Sequence, residues 1–375
     1  MFRIFSIRAK SGGSLVMGRR RMSVIALLVA ASGTGAAGGA LAPASAATIT
    51  KVPCGGALST LRPAAGSQVQ LSRGCIYHDY LTIRADNVTV TAYGSGSAPV
   101  ITLNNDGATI SLYGSHDTVR NLTLNGVAPR TWTCGGKATP AGHVDGVDIY
   151  PGATGDIVTN VTASGFYAGV YIMAGATGNA VQNSTLKNNI ELDTNKSSGS
   201  SGAFGVLLWG NGNTIQGNNI YGNQACSLAY GRDGSAVEIY GGSHNVISGN
   251  TASNDNAITE LGSYSGHTAT GNSFTGNNVS DGSGKGITFF VTRGSGDSDG
   301  PVYKTTLSGN TVNLTKSGDQ GVVSYDWQPG DGTLLTLTGN DLNLGSSQAL
   351  YEDGGYVDGG GNTFIGTCNP SSDCR

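Results

Sequence analysis

Beyond residue 80 the chain is a string of short alternating stretches. Val, Ile or Leu takes every second position over three to five residues, and Gly, Asn, Ser, Thr or Asp fills the intervals. Such alternation puts apolar side chains on one face of a strand and polar ones on the other. The stretches also repeat. An Asn, usually after Gly, opens one phrase: RNLTL at Asn121, TNVTA at Asn160, QNSTL at Asn183, GNNIY at Asn218, GNTAS at Asn250, GNSFT at Asn272, GNTVN at Asn310, GNDLN at Asn340 and GNTFI at Asn362. The shortest spacings are 22 or 23 residues. A second phrase precedes most of these by about ten residues: GVDIY, GVYIM, GVLLW, AVEIY, AITEL, GITFF and GVVSY.

Two or three short strands per ~22 residues, separated by turn residues, describe one coil of a parallel β-solenoid. The 61 glycines among 375 residues exclude a helical protein, and the regular Val/Ile pattern excludes disorder. Stacked coils would bring the asparagines into one ladder, each amide bonding its neighbours above and below. On this period and ladder the chain resembles the right-handed parallel β-helix proteins of the pectin lyase-like superfamily, over roughly residues 50–366. The resemblance implies an all-β solenoid, with residues 47–80 as N-terminal cap and first coil and 367–375 as a tail.

The N-terminus reads differently. Arg19–Arg21 precede the apolar run MSVIALLVA, and a small-residue stretch ends at Ala44-Ser45-Ala46. That is the layout of a secretory signal peptide cleaved after Ala46, so residues 1–46 are expected to be removed and the 47–375 domain exported. The apolar run is well short of the ~20 residues of a membrane span. Six cysteines in an exported chain point to disulfides, with Cys54–Cys75, Cys134–Cys226 and Cys368–Cys374 as the expected pairs. Their spacing does not suggest zinc. Residues 47–375 carry 15 Lys/Arg against 24 Asp/Glu, a net −9. That disfavours nucleic acid or an anionic membrane as partner.

Chemistry is expected on one outer face. In GVDIY and its relatives the second and fourth residues are almost all aliphatic and point inward. The third residues then point out: Asp148, Tyr171, Leu207, Glu238, Thr259, Thr288 and Val323. So do the fifth: Tyr150, Met173, Trp209, Tyr240, Leu261, Phe290 and Tyr325. A row of outward aromatics suits the apolar faces of pyranose rings, so Tyr150, Tyr171, Trp209, Tyr240 and Phe290 are expected to line a polysaccharide groove. Extra residues at 127–145, 190–203, 224–234, 291–304 and 326–332 flank these strands, and insertions on a solenoid map to its binding face.

Glu238 is the first catalytic candidate. Asp233 stands at the loop end beside it, with Arg232 as a charge partner. Glu260, in AITEL, falls on an inward position by strict alternation, so either a bulge turns it outward or it is buried with a raised pKa. In both cases it lies about one strand spacing, ~4.8 Å, from Glu238. Two carboxyls at such range perform glycoside hydrolysis. Asp148, three coils or ~14 Å away, is expected to bind sugar hydroxyls at another subsite. His143 sits beside Asp145 at the groove edge, while His244 and His267 read as turn residues. Hydrolysis needs no cofactor. The superfamily also holds polyuronate lyases, which use a basic residue and often Ca²⁺. Under that reading Arg232, Lys285 and Arg293 are available near the groove, and Asp145, Asp148, Asp233 and Glu238 are the oxygen ligands. A third reading is a non-catalytic carbohydrate-binding or surface protein, which the fold alone does not exclude.

Overall fold

The computed structural model describes residues 47–369 apart from 127–142, 193–201, 228–230, 265, 281–286, 293–299, 315, 317, 326–332 and 352–354. Among the described residues there is no α-helix, so none could cross a membrane as one. The strands stack in parallel into three ladders along one axis. The first ladder runs from Ile49–Val52 through Thr118–Arg120 and Thr214–Gln216 to Tyr356–Asp358. The second runs from Ile76–Tyr77 through Thr162–Ser164 to Thr311–Asn313. The third holds Leu81–Ile83, Gly107–Leu112, Val144–Ile149, Ala168–Ile172, Phe204–Leu208, Ser235–Tyr240, Ala257–Gly262, Ile287–Thr292 and Gln320–Tyr325.

Most strands of the first two ladders are three residues long, and only the middle residue faces in. In the first ladder Val119, Val158, Val181, Ile215, Ile247, Phe274, Leu307 and Leu337 stand in register, one per coil. All eight are buried in a single core that runs the length of the solenoid. Each such side chain contributes about 1.5–3 kcal/mol of burial.

Three polar ladders, not one, line the corners. In one, the amide oxygen of each Asn accepts the backbone N–H of its counterpart a coil earlier, from Ser184 through Asn218, Asn250, Asn277, Asn310 and Asn340 to Asn362. A second passes from Asp117 through Asp156, Asn179, Asn213 and Asn245 to Asn272. A third joins Asn189, Asn223 and Asp255. The expected single ladder therefore needs correction at four residues. Asn272 belongs to the second corner. Asn121, Asn160 and Asn183 adopt φ of 60°, 51° and 50°, and they take the turn position that Gly217 or Gly249 fills in later coils. Only Gly and, less readily, Asn accept that left-handed conformation. The ladder residue proper follows one place later, as Ser184 does after Asn183.

The N-terminal cap is closed by the expected Cys54–Cys75 disulfide, with Cα atoms 5.2 Å apart. The Tyr77 hydroxyl donates to the Val52 carbonyl at 2.8 Å and accepts the Ser72 N–H at 2.9 Å, which seats the first coil. Cys226 and Cys368 are also disulfide-bonded. Their expected partners, Cys134 and Cys374, lie outside the described residues, as do the expected signal segment 1–46 and most of the five insertions.

Candidate functional site on the outer face of the third ladder

The third ladder carries the candidate chemistry, and its register fixes which residues meet. One row runs Thr82, Ser111, Asp148, Tyr171, Leu207, Glu238, Glu260, Phe290, Val323. The neighbouring inward row runs Val147, Val170, Val206, Val237, Thr259, Phe289, Val322. Glu260 therefore lies directly beside Glu238 on the outer face. The inward placement expected for it is corrected, and no bulge is involved. The match of AITEL to AVEIY was displaced by one residue, and in a strand one residue exchanges the faces. Thr259 and Leu261, expected outside, are fully buried. Phe290 moves from the aromatic row to the carboxylate row, and Thr288 leaves the third position.

A second departure from alternation brings more carboxyls out. Before each strand's main run, two consecutive residues turn inward, as Ala236 and Val237 do. The residues on either side, three apart, then share the outer face. Ser235 Oγ thus donates to Glu238 Oε2 at 2.8 Å. In the same way Asp145 meets Asp148, and the two carboxyls are hydrogen-bonded. The first inward position is held by glycine at 146, 169 and 205. A Cβ on Gly146 would lie 2.3 Å from the carbonyl oxygen of Gly169 in the next coil, so no larger residue fits without a shift.

Two carboxyl centres result. The first comprises Glu238, Glu260 and Asp233. Asp233 ends the short strand Gly231–Asp233, which pairs antiparallel with Ala225–Ser227. Its Oδ1 accepts the Gly234 N–H at 2.8 Å, and Gly202 also donates to the carboxyl. Glu238 and Asp233 are buried, whereas Glu260 is partly exposed. Burial pushes Asp233 up to about 7 and, with the Asp233 charge, Glu260 up to about 8. Glu238 is pushed well above its ordinary value by burial first and by the neighbouring Glu260 and Asp233 charges second. These groups titrate as a set that keeps protons at neutral pH. Arg232 precedes Asp233 on the same short strand. Its Nε donates to Gln224 Oε1 at 3.1 Å, and the charge acting on it is Asp319.

The second centre lies three coils toward the N-terminus, ~14 Å from Glu238 by strand spacing. It holds Asp145, Asp148 and Glu191, all buried, and His143, whose side chain is 41% exposed and whose Nε2 is 3.2 Å from Asp145 Oδ2. Asp145 Oδ1 accepts the Ala168 N–H at 3.0 Å. Asp148 is raised well above its ordinary value, by burial and then by the Asp145 charge, while a hydrogen bond with Tyr150 opposes the rise. Burial lifts Glu191 to about 7 against the bond it accepts from the Val144 N–H. Glu191 was not among the sequence candidates. Its signal was available, since it is one of only four glutamates and lies in the 190–203 insertion.

Aromatic rings join the two centres. Tyr150 stacks on Tyr113 at 3.9 Å between centroids. Tyr171 and Trp209 cover a small apolar cluster of Tyr167, Ala168, Phe204 and Leu207. Trp209 meets Tyr171 edge-on at 6.3 Å, and Tyr240 and Tyr264 each at 5.3 Å. Tyr264 lies over Tyr240, leaving it 7% exposed, and His267 stacks on Tyr264 at 3.8 Å. Tyr240 is therefore an underlayer, and the rings presented outward are Tyr113, Tyr150, Tyr171 and Trp209. His244 is a turn residue with φ 56°. Several buried polar atoms of this face have no hydrogen-bond partner within the described protein: Asp148 Oδ1, Glu191 Oε2, Trp209 Nε1 and Asp233 Oδ2. Groups of that kind are normally satisfied, so the face presents unused donors and acceptors between its rings. Among the described residues no group of three His, Cys, Asp or Glu side chains is placed to hold a metal ion. Arg293 and Lys285 lie outside the described residues, and the same holds for the Phe290 side chain.

A family model described as the right handed beta helix region matches residues 108–312. No curated protein matches the sequence. Among solved structures, the Dettilon tailspike protein is 15% identical, with a TM-score of 0.59 over 81% of this chain and 62% of its own. The tailspike protein of E. coli bacteriophage HK620, in complex with a pentasaccharide, is 9% identical, with a TM-score of 0.55 over 84% and 61%. Pectate lyase Pel9A is 14% identical, with a TM-score of 0.47 over 85% and 80%. The chain thus spans about three-fifths of the length of the two tailspikes, and the likeness to them is one of fold.

Proposed function

The chain belongs to the right-handed β-helix family, and from that premise we propose that its exported form hydrolyses a polysaccharide laid along the outer face of the third ladder. The observation that carries this reading is the in-register pair Glu238 and Glu260, on adjacent coils, both with raised proton affinity and with Asp233 beside them. Two carboxyls of which one is protonated are what cleavage of a glycosidic bond requires. Glu238, the more buried and hydrogen-bonded to Ser235, donates its proton to the leaving oxygen. Glu260, partly exposed, is the member that gives up its proton to act as the carboxylate, and its position near 8 places that step toward mildly alkaline pH. A one-coil strand spacing of ~4.8 Å brings the two side chains to the same glycosidic bond, one to protonate the leaving oxygen and the other to attack the anomeric carbon or activate water. Asp233 holds a proton near the pair. Trp209, Tyr171, Tyr150 and the unused polar atoms around them supply stacking surface and hydroxyl partners at neighbouring subsites, Asp148 among them. Phe290 lies next along the row. A β-helix tailspike holding a pentasaccharide is in keeping with this use of the fold.

The test is a digest of neutral and uronate polysaccharides by the purified 47–375 protein and its Glu238→Gln variant, with and without chelator. Reducing ends without unsaturated product, lost in the variant, are expected. Unsaturated, ultraviolet-absorbing product that depends on a divalent metal would replace hydrolysis by β-elimination. No product from a wide panel would leave a binding protein.

A further inference from the structure

The N-terminal end of the same face carries a recess of different character. It has a volume of about 330 Å³ and is lined by Ser59, Arg62, Pro63, Tyr80, Thr82, Arg84 and Ala85. That is within the size range of small-ligand sites. Its two charges are both positive. The Arg84 guanidinium carbon lies 4.4 Å from the centroid of the Tyr113 ring, a cation–π contact. Arg62 is anchored through Nη1 to the carbonyls of Ser59 at 2.8 Å and Leu61 at 2.7 Å. Both arginines are exposed, and among the described residues neither makes an ion pair.

The carboxylates nearest in sequence make no ion pair with either arginine, although Asp79 also accepts the Ser59 hydroxyl at 3.1 Å and so lies behind the wall of the recess. Asp79 Oδ2 accepts the Leu58 and Ser59 N–H groups at 2.6 and 3.0 Å, and its Oδ1 accepts the Tyr80 N–H at 2.9 Å. Asp86 Oδ1 accepts the Ser115 N–H at 2.9 Å. The recess therefore presents two guanidinium groups without an ion-pair partner among the described residues, beside two exposed rings, Tyr80 at 46% and Tyr113 at 38%. It also joins the groove. Thr82 heads the row that reaches Asp148 two coils later and Glu238 five coils later, about 10 and 24 Å along the axis.

We propose that this recess binds the anionic group of an acidic sugar, a carboxylate or a sulfate ester, with the ring against Tyr80 and the charge between Arg62 and Arg84. A planar guanidinium is suited to a bidentate oxyanion. The inference rests on the proposed function only for the course of the chain. It adds that the polymer carries a negative charge several sugar units from the bond being cut, while the units over Glu238, Glu260 and Asp148 are uncharged, since any of these carboxyls that loses its proton would repel a like charge.

The experiment is a ligand-observed NMR titration of the Glu238→Gln protein, which cannot turn over, with glucuronate, glucose 6-sulfate and glucose. Either or both acidic sugars are expected to bind at least tenfold more tightly than glucose, with a preference that shrinks as salt is raised. The difference between the two acidic sugars tells which anion the recess takes. Arg84→Gln should remove the preference and Arg84→Lys should keep part of it, with the melting temperature unchanged because Arg84 is exposed. Equal binding of all three sugars would overturn the proposal, and so would a preference that survives Arg84→Gln. If the preference is found but no polysaccharide is cleaved, the recess stands and the hydrolase reading falls.

Discussion

Removing the charge of Glu260 while keeping its shape should pull Glu238 down in pH. Glu238 and Glu260 stand opposite one another on adjacent coils, so their Cα atoms are ~4.8 Å apart. Two unit charges at that separation in a medium of effective dielectric constant 20 repel by about 3.5 kcal/mol, equivalent to about 2.5 pH units. Burial is the larger cause of the elevated proton affinity of Glu238 and survives the change. In Glu260→Gln the titration midpoint of Glu238 should therefore drop by about 2 units and still lie above the ordinary glutamate value. The protein has only four glutamates, at 191, 238, 260 and 352. Selective ¹³C labelling of the glutamate carboxyls gives four resonances, each assigned by one Gln variant and followed from pH 3 to 10. A Glu238 resonance that titrates at the ordinary glutamate value in the wild type would refute the reasoning. A midpoint that moves by less than half a unit in Glu260→Gln would show that the two carboxyls do not share a proton site.

Three further expectations concern the scaffold and the groove. Asp255 accepts the backbone and side-chain N–H groups of Asn223 through Oδ1 alone, at 2.8 and 2.9 Å, and burial raises it to about 8. The unfolded chain releases this proton near pH 3.8 and the folded one near 8, so the stability that Asp255 contributes is fully present below pH 3.8 and is lost as pH rises from there to 8. Asp255→Asn keeps the Oδ1 acceptor and removes the titration. Chemical unfolding should find it equal to wild type at pH 3.5 and more stable by up to about 4 kcal/mol at pH 7; equal stability at both pH values would contradict the linkage. Asn250→Ala strips an acceptor from Asn218 N–H and a donor from the Ile215 carbonyl, and should cost about 1–3 kcal/mol. Asn160→Gly, at an exposed left-handed turn, should change stability little, and equal costs for these two would undo the distinction between ladder and turn asparagines. Trp209→Phe keeps a ring but removes the buried Nε1–H that has no partner, so it should raise KM for the cleaved polysaccharide about tenfold with kcat little changed.

Much of the fold was legible because a solenoid repeats one local rule. The 22- to 23-residue period, the single inward residue of each short strand and the Gly-Asn corners each follow from residues close in sequence. The outer position of Glu238 was legible for the same reason, since Val237 and Ile239 on either side leave no choice of face. Glu260 was not, because AITEL can be laid on AVEIY in two ways one residue apart. Only the hydrogen bonds to the coils on both sides choose between them. Asp145 shows the same limit. Strict alternation from Val147 would turn it inward, and the double inward step at the glycine corner reverses it.

The sequence by itself determined the coil, because burying Val, Ile and Leu while pairing every backbone group leaves an alternating, glycine-punctuated chain few other shapes. It also determined that some carboxylates and rings would stand outside. Which of them meet was decided by tertiary structure alone. Glu238 and Glu260 are 22 residues apart, Asp145 and Glu191 are 46 apart, and Arg84 reaches Tyr113 across 29. Contacts at that range depend on how many residues each corner and insertion consumes, and a local pattern of apolar and polar positions does not record that number.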